Sequence, residues 1–125
     1  MASDYQGNKT NHIGLRFALK GIAYAFSSEW NMRMHGFVFL TVIVSSIFFQ
    51  LSSIEWILVI FVSGLVMITE IFNTVIEHLL DYLAPEKHPT IGKIKDMAAG
   101  AVFIAALLAI VVGCIIFLPK LTNMF

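Results

Sequence analysis

Charged residues and cysteine are both scarce in this chain. Only 13% of the 125 residues are charged, and the formal net charge is zero, so we expect no nucleic-acid partner. Cys114 is the single cysteine, which excludes an intrachain disulfide. The sequence also lacks the glycine-rich phosphate-binding motifs and the H-R-D and D-F-G motifs, which excludes the usual soluble nucleotide-binding classes.

Apolar residues dominate instead. They make up 58% of the chain and give a mean hydropathy of +0.85. Three apolar runs, each close to the roughly 20 residues that a helix needs to cross about 30 Å of hydrocarbon, predict transmembrane helices over residues 35–51, 54–76 and 97–118. We therefore expect an all-α integral membrane protein with a single membrane domain over residues 1–125.

A shorter helical pattern precedes the first predicted span. Residues 13–30 repeat apolar side chains at helical spacing from Leu15 to Phe26, which predicts an amphipathic helix at the membrane surface. Glu29 continues the apolar phase of this helix, so its carboxylate needs a partner there. An ion pair with Arg33 at i+4 is one alternative.

The segments outside the spans predict the orientation. Residues 1–11 are polar without an apolar core, so they do not resemble a cleavable signal peptide and are predicted to form a mobile tail. Basic residues are enriched on cytoplasmic loops. We therefore place the N-terminus and the second loop in the cytoplasm, because those segments carry most of the basic residues, namely Lys9, Arg16, Lys20, Arg33, Lys87, Lys93 and Lys95.

Acidic side chains fall on one face of the second predicted span. Glu70, Asn73, Glu77 and Asp81 are spaced at i, i+3, i+7 and i+11, which places them on one helical stripe. A carboxylate inside a membrane costs about 2.5–3.5 kcal/mol on insertion scales, so the stripe predicts a functional site. Glu70 is expected about 6–9 Å inside the cytoplasmic interface, with Glu77 at the headgroups.

The carboxylates predict a division of chemical roles. Mg²⁺ is commonly held by one or two carboxylates plus substrate phosphates, and Glu29 and Glu77 can supply that pair. Glu70 lies deeper and can act as a general base toward a hydroxyl. Lys95 and Asp96 open the third span at the same level, where an ammonium can neutralise phosphate oxygens. Together these residues predict phosphoryl transfer to a lipid alcohol.

Almost the whole chain resembles the prokaryotic diacylglycerol kinase family. The resemblance rests on three stretches in the same order and spacing, namely Glu70-Ile-Phe-Asn73-Thr-Val-Ile-Glu77, Glu86-Lys-His88 and Lys95-Asp96-Met-Ala-Ala-Gly-Ala-Val102. It implies a trimeric membrane kinase that uses ATP and Mg²⁺ and shares its active sites between subunits.

The resemblance also implies a role for particular residues. Glu70 matches the catalytic base, and Glu29 and Glu77 match the metal-binding carboxylates, which with Asn73 also contact the nucleotide. Further nucleotide contacts are implied at Glu86, His88, Lys95 and Asp96, and at Phe17, which stands where related enzymes have a tyrosine. The lipid-facing region corresponds to Glu70, Met32, Arg33 and Ala99.

Within the family, the chain is more similar to the Gram-positive branch, whose members resemble undecaprenol kinases. This likeness rests on Glu29-Trp-Asn31-Met-Arg33-Met-His35, Ile54-Glu55-Trp56, His88-Pro89 and Ala98-Ala-Gly-Ala101. It implies phosphorylation of undecaprenol to the phosphate that carries cell-wall precursors. The alternative is a diacylglycerol kinase that makes phosphatidic acid.

Two other functional classes stay open on the sequence. A small homo-oligomeric transporter also places a carboxylate such as Glu70 in the membrane, although it leaves Glu29, Glu77 and Lys95 without a role. A structural subunit would not need a buried acid at all. Small residues recur every four positions from Ala101 to Gly113 and predict close helix packing. Because three spans cannot easily surround a carboxylate, we expect a homo-oligomer.

Overall fold

A computed structural model describes residues 13–125, and this part of the chain is all-helical, in agreement with the predicted class. Four helices follow one another: α1 (Ile13–Ser28), α2 (Trp30–Phe48), α3 (Ser53–Leu83) and α4 (Pro89–Thr122). The predicted tail, residues 1–11, lies outside the described residues.

Helices α2, α3 and α4 are long and apolar enough to cross a membrane. They contain 19, 31 and 34 residues, so α3 and α4 exceed the roughly 20 residues that the hydrocarbon requires. α3 continues to Leu83, beyond the predicted span 54–76, and α4 begins at Pro89, before the predicted span 97–118. The acidic stripe of α3 therefore continues on regular helix beyond the expected membrane edge.

A break in the helix at Glu29 separates α1 from α2. Glu29 has extended backbone angles, φ −121° and ψ 123°, and its side chain does not cap α2. The Arg33 guanidinium donates to the carbonyls of Phe26 and Ser27 at 3.3 and 3.1 Å, which satisfies the end of α1. The alternative of a Glu29–Arg33 ion pair is therefore wrong, because Arg33 is used to cap the preceding helix.

The opposite end of α2 turns tightly into α3. Gln50 has a positive φ of 52°, and the backbone N–H groups of Gln50 and Leu51 donate to the carbonyls of Ile47 and Ser46. This is the Schellman pattern that satisfies the last carbonyls of a helix. Ser52 then caps α3 in a capping box, in which its side chain and that of Glu55 exchange hydrogen bonds with each other's backbone N–H.

The α3–α4 pair forms the most extensive helix packing in the described chain. Ala105 of the small-residue strip is buried, and Ala109 and Gly113 face α2 and α3 of the same chain. A second contact lies at the far end, where the Lys120 ammonium is 3.2 Å from the Glu55 carboxylate. Close packing within the chain therefore involves Ala105, whereas Ala101 is exposed and Gly113 borders open space.

Candidate active site

The Glu70 side chain is buried between α2, α3 and α4. Only 3% of its surface is exposed in the single chain, and its Oε2 atom lies 3.6 Å from Nε2 of His35 on α2. Three spans of one chain therefore suffice to bury this carboxylate, contrary to the expectation above. Its burial has to be offset by a partner, and His35 supplies one.

A pocket of about 380 Å³ opens beside the Glu70 carboxylate. Asn73, one turn along α3, lines the same pocket, and Ala99, Val102 and Phe103 of α4 form its opposite wall. The Oδ1 atom of Asn73 is buried and has no hydrogen-bond partner among the described residues. An unpaired buried acceptor is costly, so this oxygen is available for a ligand that donates a hydrogen bond or binds through a cation.

An apolar cavity of about 250 Å³ also borders His35. Its walls are side chains of α2, α3 and α4, including Val59, Val66 and Phe117, and His35 lines this cavity as well as the polar pocket. The imidazole therefore separates an apolar space within the membrane from the carboxylate and amide of the site.

Glu29 reaches the same region from the break between α1 and α2. The Nε2 nitrogen of His78 donates to its Oε1 atom at 2.9 Å, and the Tyr24 ring packs edge-on against the imidazole with ring centres 6.3 Å apart. The carboxylates of Glu29 and Glu77 are close enough to interact electrostatically with that of Glu70. Tertiary contacts thus bring together acids that lie far apart in the sequence.

These side chains fit a hard cation that binds together with a phosphate ligand. No cluster of three His, Cys, Asp or Glu side chains suited to a metal occurs within residues 13–125. Mg²⁺ does not need such a cluster, since it usually takes one or two carboxylates and completes its coordination with phosphate oxygens and water. Glu29 and Glu77 carry carboxylate oxygens of the kind that Mg²⁺ prefers, and the unpartnered Oδ1 atom of Asn73 lies one helical turn from Glu70 on α3.

A second polar pocket, of about 420 Å³, lies at the connection between α3 and α4. Asp81, Glu86, His88 and Lys95 line it. The Lys95 ammonium is 2.6 Å from Oδ1 of Asp81, and the His88 ring accepts from the backbone N–H of Thr90 as the cap of α4. The pocket holds both charge signs close to the start of α4.

The remaining candidate residues do not line the polar pockets. Met32 is buried, whereas Arg33 is exposed where it caps α1. Asp96 is exposed and lines neither polar pocket. Phe17 lies on α1, with the Lys20 ammonium 5.9 Å from its ring centre.

Sequence reasoning assigned no role to His35 or His78. Both meet their carboxylates across helices, at sequence separations that carry no periodic signal. The sequence indicates only that carboxylates within the membrane need partners. It does not identify the residues that supply them.

Comparison with known proteins identifies the family of this chain. The prokaryotic diacylglycerol kinase family model matches residues 16–117. The chain is 36% identical over 113 residues to a diacylglycerol kinase of Synechocystis sp., covering 90% of the chain and 65% of that protein. It is 35% identical over 123 residues to an undecaprenol kinase of Bacillus subtilis, covering 97% and 100% respectively. A diacylglycerol kinase of Escherichia coli is 34% identical over 100 residues, or 80% of the chain and 82% of that protein.

Proposed function

The chain belongs to the prokaryotic diacylglycerol kinase family, and on this premise we propose that it phosphorylates undecaprenol, a long-chain alcohol of the membrane. Its membership makes it a multi-pass membrane protein and a lipid kinase, which uses ATP with a divalent metal ion. The end-to-end alignment with the Bacillus subtilis undecaprenol kinase supports this acceptor. Diacylglycerol is the alternative acceptor, since relatives of similar identity carry that name.

The single observation that carries the mechanism is the buried Glu70 carboxylate, which lines the polar pocket next to His35, the residue that also lines the apolar cavity. In the proposed reaction this carboxylate takes the proton of the lipid hydroxyl. The hydroxyl oxygen bonds to the γ-phosphorus of ATP while the bond from that phosphorus to its bridging oxygen breaks. ADP leaves with the electron pair, and the proton on Glu70 is later released to water.

Glu29 and Glu77 are the proposed ligands of the metal, which we take to be Mg²⁺. When bound, Mg²⁺ neutralises phosphate charge during transfer. About 10 Å of helix separates Glu70 from Glu77, which spans the distance between hydrocarbon and headgroups. Lipid and nucleotide can therefore approach the site from different sides of the membrane interface.

The pocket at the α3–α4 connection is the proposed nucleotide site. Three of its residues, Glu86, His88 and Lys95, match nucleotide contacts of the family. Three further residues also match such contacts: Asn73 lines the pocket beside Glu70, and Asp96 and Phe17 lie outside both pockets. An ammonium such as that of Lys95 can stabilise the transferring phosphoryl group once it exchanges Asp81 for phosphate oxygens.

The lipid is proposed to enter sideways from the bilayer. The apolar cavity beside His35 supports this route, because it lies between the spanning helices and reaches His35, the residue 3.6 Å from the Glu70 carboxylate. Ala99 lines the pocket in which the hydroxyl would lie. Arg33, which is exposed at the start of α2, is the proposed contact near the lipid's polar end, whereas the side chain of Met32 is buried within the chain.

We further propose a homotrimer that shares its active sites between subunits. Only 11–17% of each spanning window is buried within the chain, so most of the helical surface is free to contact lipid or other subunits. We expect the protein to have the mass of three copies in mild detergent, by light scattering corrected for bound detergent. A monomeric mass at full kinase activity would contradict this assembly. The cytoplasmic location of the loop that contains Lys87 stays a prediction. Labelling of a cysteine introduced at position 87 with a membrane-impermeant reagent would test it.

The acceptor is tested by offering both lipids to the reconstituted protein. We expect faster transfer of labelled phosphate from ATP to undecaprenol than to diacylglycerol, each at matched mole fraction in bilayers with Mg²⁺. The Glu70→Gln variant is the control for contaminating kinases. Faster labelling of diacylglycerol would contradict the undecaprenol assignment alone, and label on neither lipid would contradict the lipid-kinase activity itself.

A further inference from the structure

We propose that His35 is a positioning residue for Glu70, holding the carboxylate in the orientation that accepts the proton of the lipid hydroxyl. This inference rests on the proposed role of Glu70 as the base. His35 does not transfer the proton itself, and it contacts the reacting atoms only through the carboxylate.

The geometry around Glu70 carries the inference. His35 is the only side chain within residues 13–125 that lies within ion-pair distance of this carboxylate, with Nε2 and Oε2 3.6 Å apart. This separation is longer than a hydrogen bond in the ligand-free chain. Contacts of this kind often tighten only when the substrate is bound.

No other group that faces Glu70 pairs with its carboxylate in the described chain. The amides of Asn31 and Asn73 line the same pocket, but neither is hydrogen-bonded to Glu70. Glu29 and Glu77 are acidic and interact unfavourably with a second carboxylate. The α4 wall of the pocket is apolar, formed by side chains such as Val102 and Phe103. Without His35, the carboxylate would lose the one partner that contacts it among residues 13–125 and would keep two like charges nearby.

The position of His35 also explains why orientation matters here. The imidazole lines both the apolar cavity and the polar pocket. In the proposed complex it therefore lies at the junction between the apolar tail of the lipid and its hydroxyl group. A carboxylate that rotates about its last torsions at this boundary loses alignment with the hydroxyl. Misplacement by about 1 Å can cost about 10²-fold in rate.

Two substitutions of similar size separate the donor from the bulk of the side chain. His35→Leu removes the donor and suits a membrane helix, whereas His35→Gln keeps an N–H donor near the position of Nε2. We expect His35→Leu to lower kcat by about 10–100-fold with little change in KM for ATP or lipid. His35→Gln is expected to recover most of the loss. Phe37→Leu, at a side chain of the same helix that is 70% exposed, is the matched control and should retain wild-type kcat.

A double-mutant cycle tests whether His35 acts through Glu70. In the Glu70→Gln background, His35→Leu is expected to cause no further loss, because the group that it positions is already absent. A loss in the double variant equal to that in the wild-type background would overturn the proposal. So would a kcat as low in His35→Gln as in His35→Leu, or an effect confined to the KM for lipid, which would indicate a cavity wall only.

These outcomes are distinct from failure of the proposed function. If Glu70→Gln alone keeps wild-type turnover, the base assignment falls whatever His35 does, and the positioning role falls with it. If Glu70→Gln is inactive while His35→Leu turns over normally, the base stands and only the role of His35 is overturned. Should the residual rate of Glu70→Gln be too low for the cycle, the Leu–Gln comparison decides the question.

Discussion

Replacement of Glu70 by glutamine is expected to lower the rate of lipid phosphorylation by about 10²–10⁴-fold, the usual contribution of a positioned general base. The amide has nearly the size of the carboxylate and can still fill the space beside His35, but it cannot take a proton from the hydroxyl. Because proton transfer belongs to the transition state, kcat should fall while the KM values for ATP and lipid change little. The measurement is transfer of labelled phosphate to lipid in bilayers.

The control for this variant is the same substitution elsewhere on α3. Glu55→Gln lies at the opposite end of that helix, where the carboxylate pairs with Lys120 and belongs to the capping box of Ser52. It tests whether loss of one acid from α3 disturbs the fold enough to lower the rate. We expect its kcat to stay near that of the wild type. Wild-type turnover in Glu70→Gln would refute the general-base role.

Much of the fold follows from composition, but the break at Glu29 does not. Three apolar runs of membrane length are sufficient to predict three spanning helices. The apolar periodicity of α1, however, runs through Glu29 without a proline or glycine to mark its end. The break is stabilised by Arg33 caps on the carbonyls of Phe26 and Ser27 and by the contact of Glu29 with His78. Such contacts depend on tertiary structure, which local periodicity does not report.

In the candidate site, too, the sequence predicts the residues that share one helix but not the contacts between helices. Glu70, Asn73 and Glu77 lie on one helix, so their spacing alone predicts that they share a face. The partners of the acids lie on other helices, and His78 meets Glu29 across 49 positions of sequence. Helical spacing relates residues of one helix only, so it identifies the acids of α3 but not the histidines that meet Glu29 and Glu70 from another helix.

The small-residue strip gives a third example. A repeat of alanine and glycine predicts close approach of a helix, but it does not identify the helix that approaches. In the described chain only Ala105 of the strip is buried, whereas Ala109 and Gly113 line the apolar cavity and Ala101 is exposed. Burial of Glu70 was one reason to expect a homo-oligomer. Since a single chain already buries Glu70, that burial is not evidence for contact between subunits.

Replacement of Glu77 by glutamine should raise the Mg²⁺ concentration needed for half-maximal activity by about 10–100-fold or more. Loss of a group that merely supports a metal ligand commonly costs this much in affinity, and loss of a ligand's charge should cost at least as much. Glu77 is partly exposed near Glu70, so its carboxylate can reach a cation that arrives with the nucleotide. The measurement is the initial rate of lipid phosphorylation over a Mg²⁺ titration at fixed free ATP.

Asp81→Asn provides the control that separates a metal ligand from general negative charge. Asp81 lies one turn beyond Glu77 on the same face of α3, but its carboxylate is 2.6 Å from the Lys95 ammonium and is already paired. Its loss should free Lys95 and alter the KM for ATP while leaving the Mg²⁺ requirement near that of the wild type. An equal rise in both variants would mean that Mg²⁺ responds to the summed charge of the stripe, and Glu77 would then lose its role as a ligand. A rise in Glu77→Gln alone would instead identify the Glu77 carboxylate as a ligand of the metal, rather than as one of several negative charges on α3.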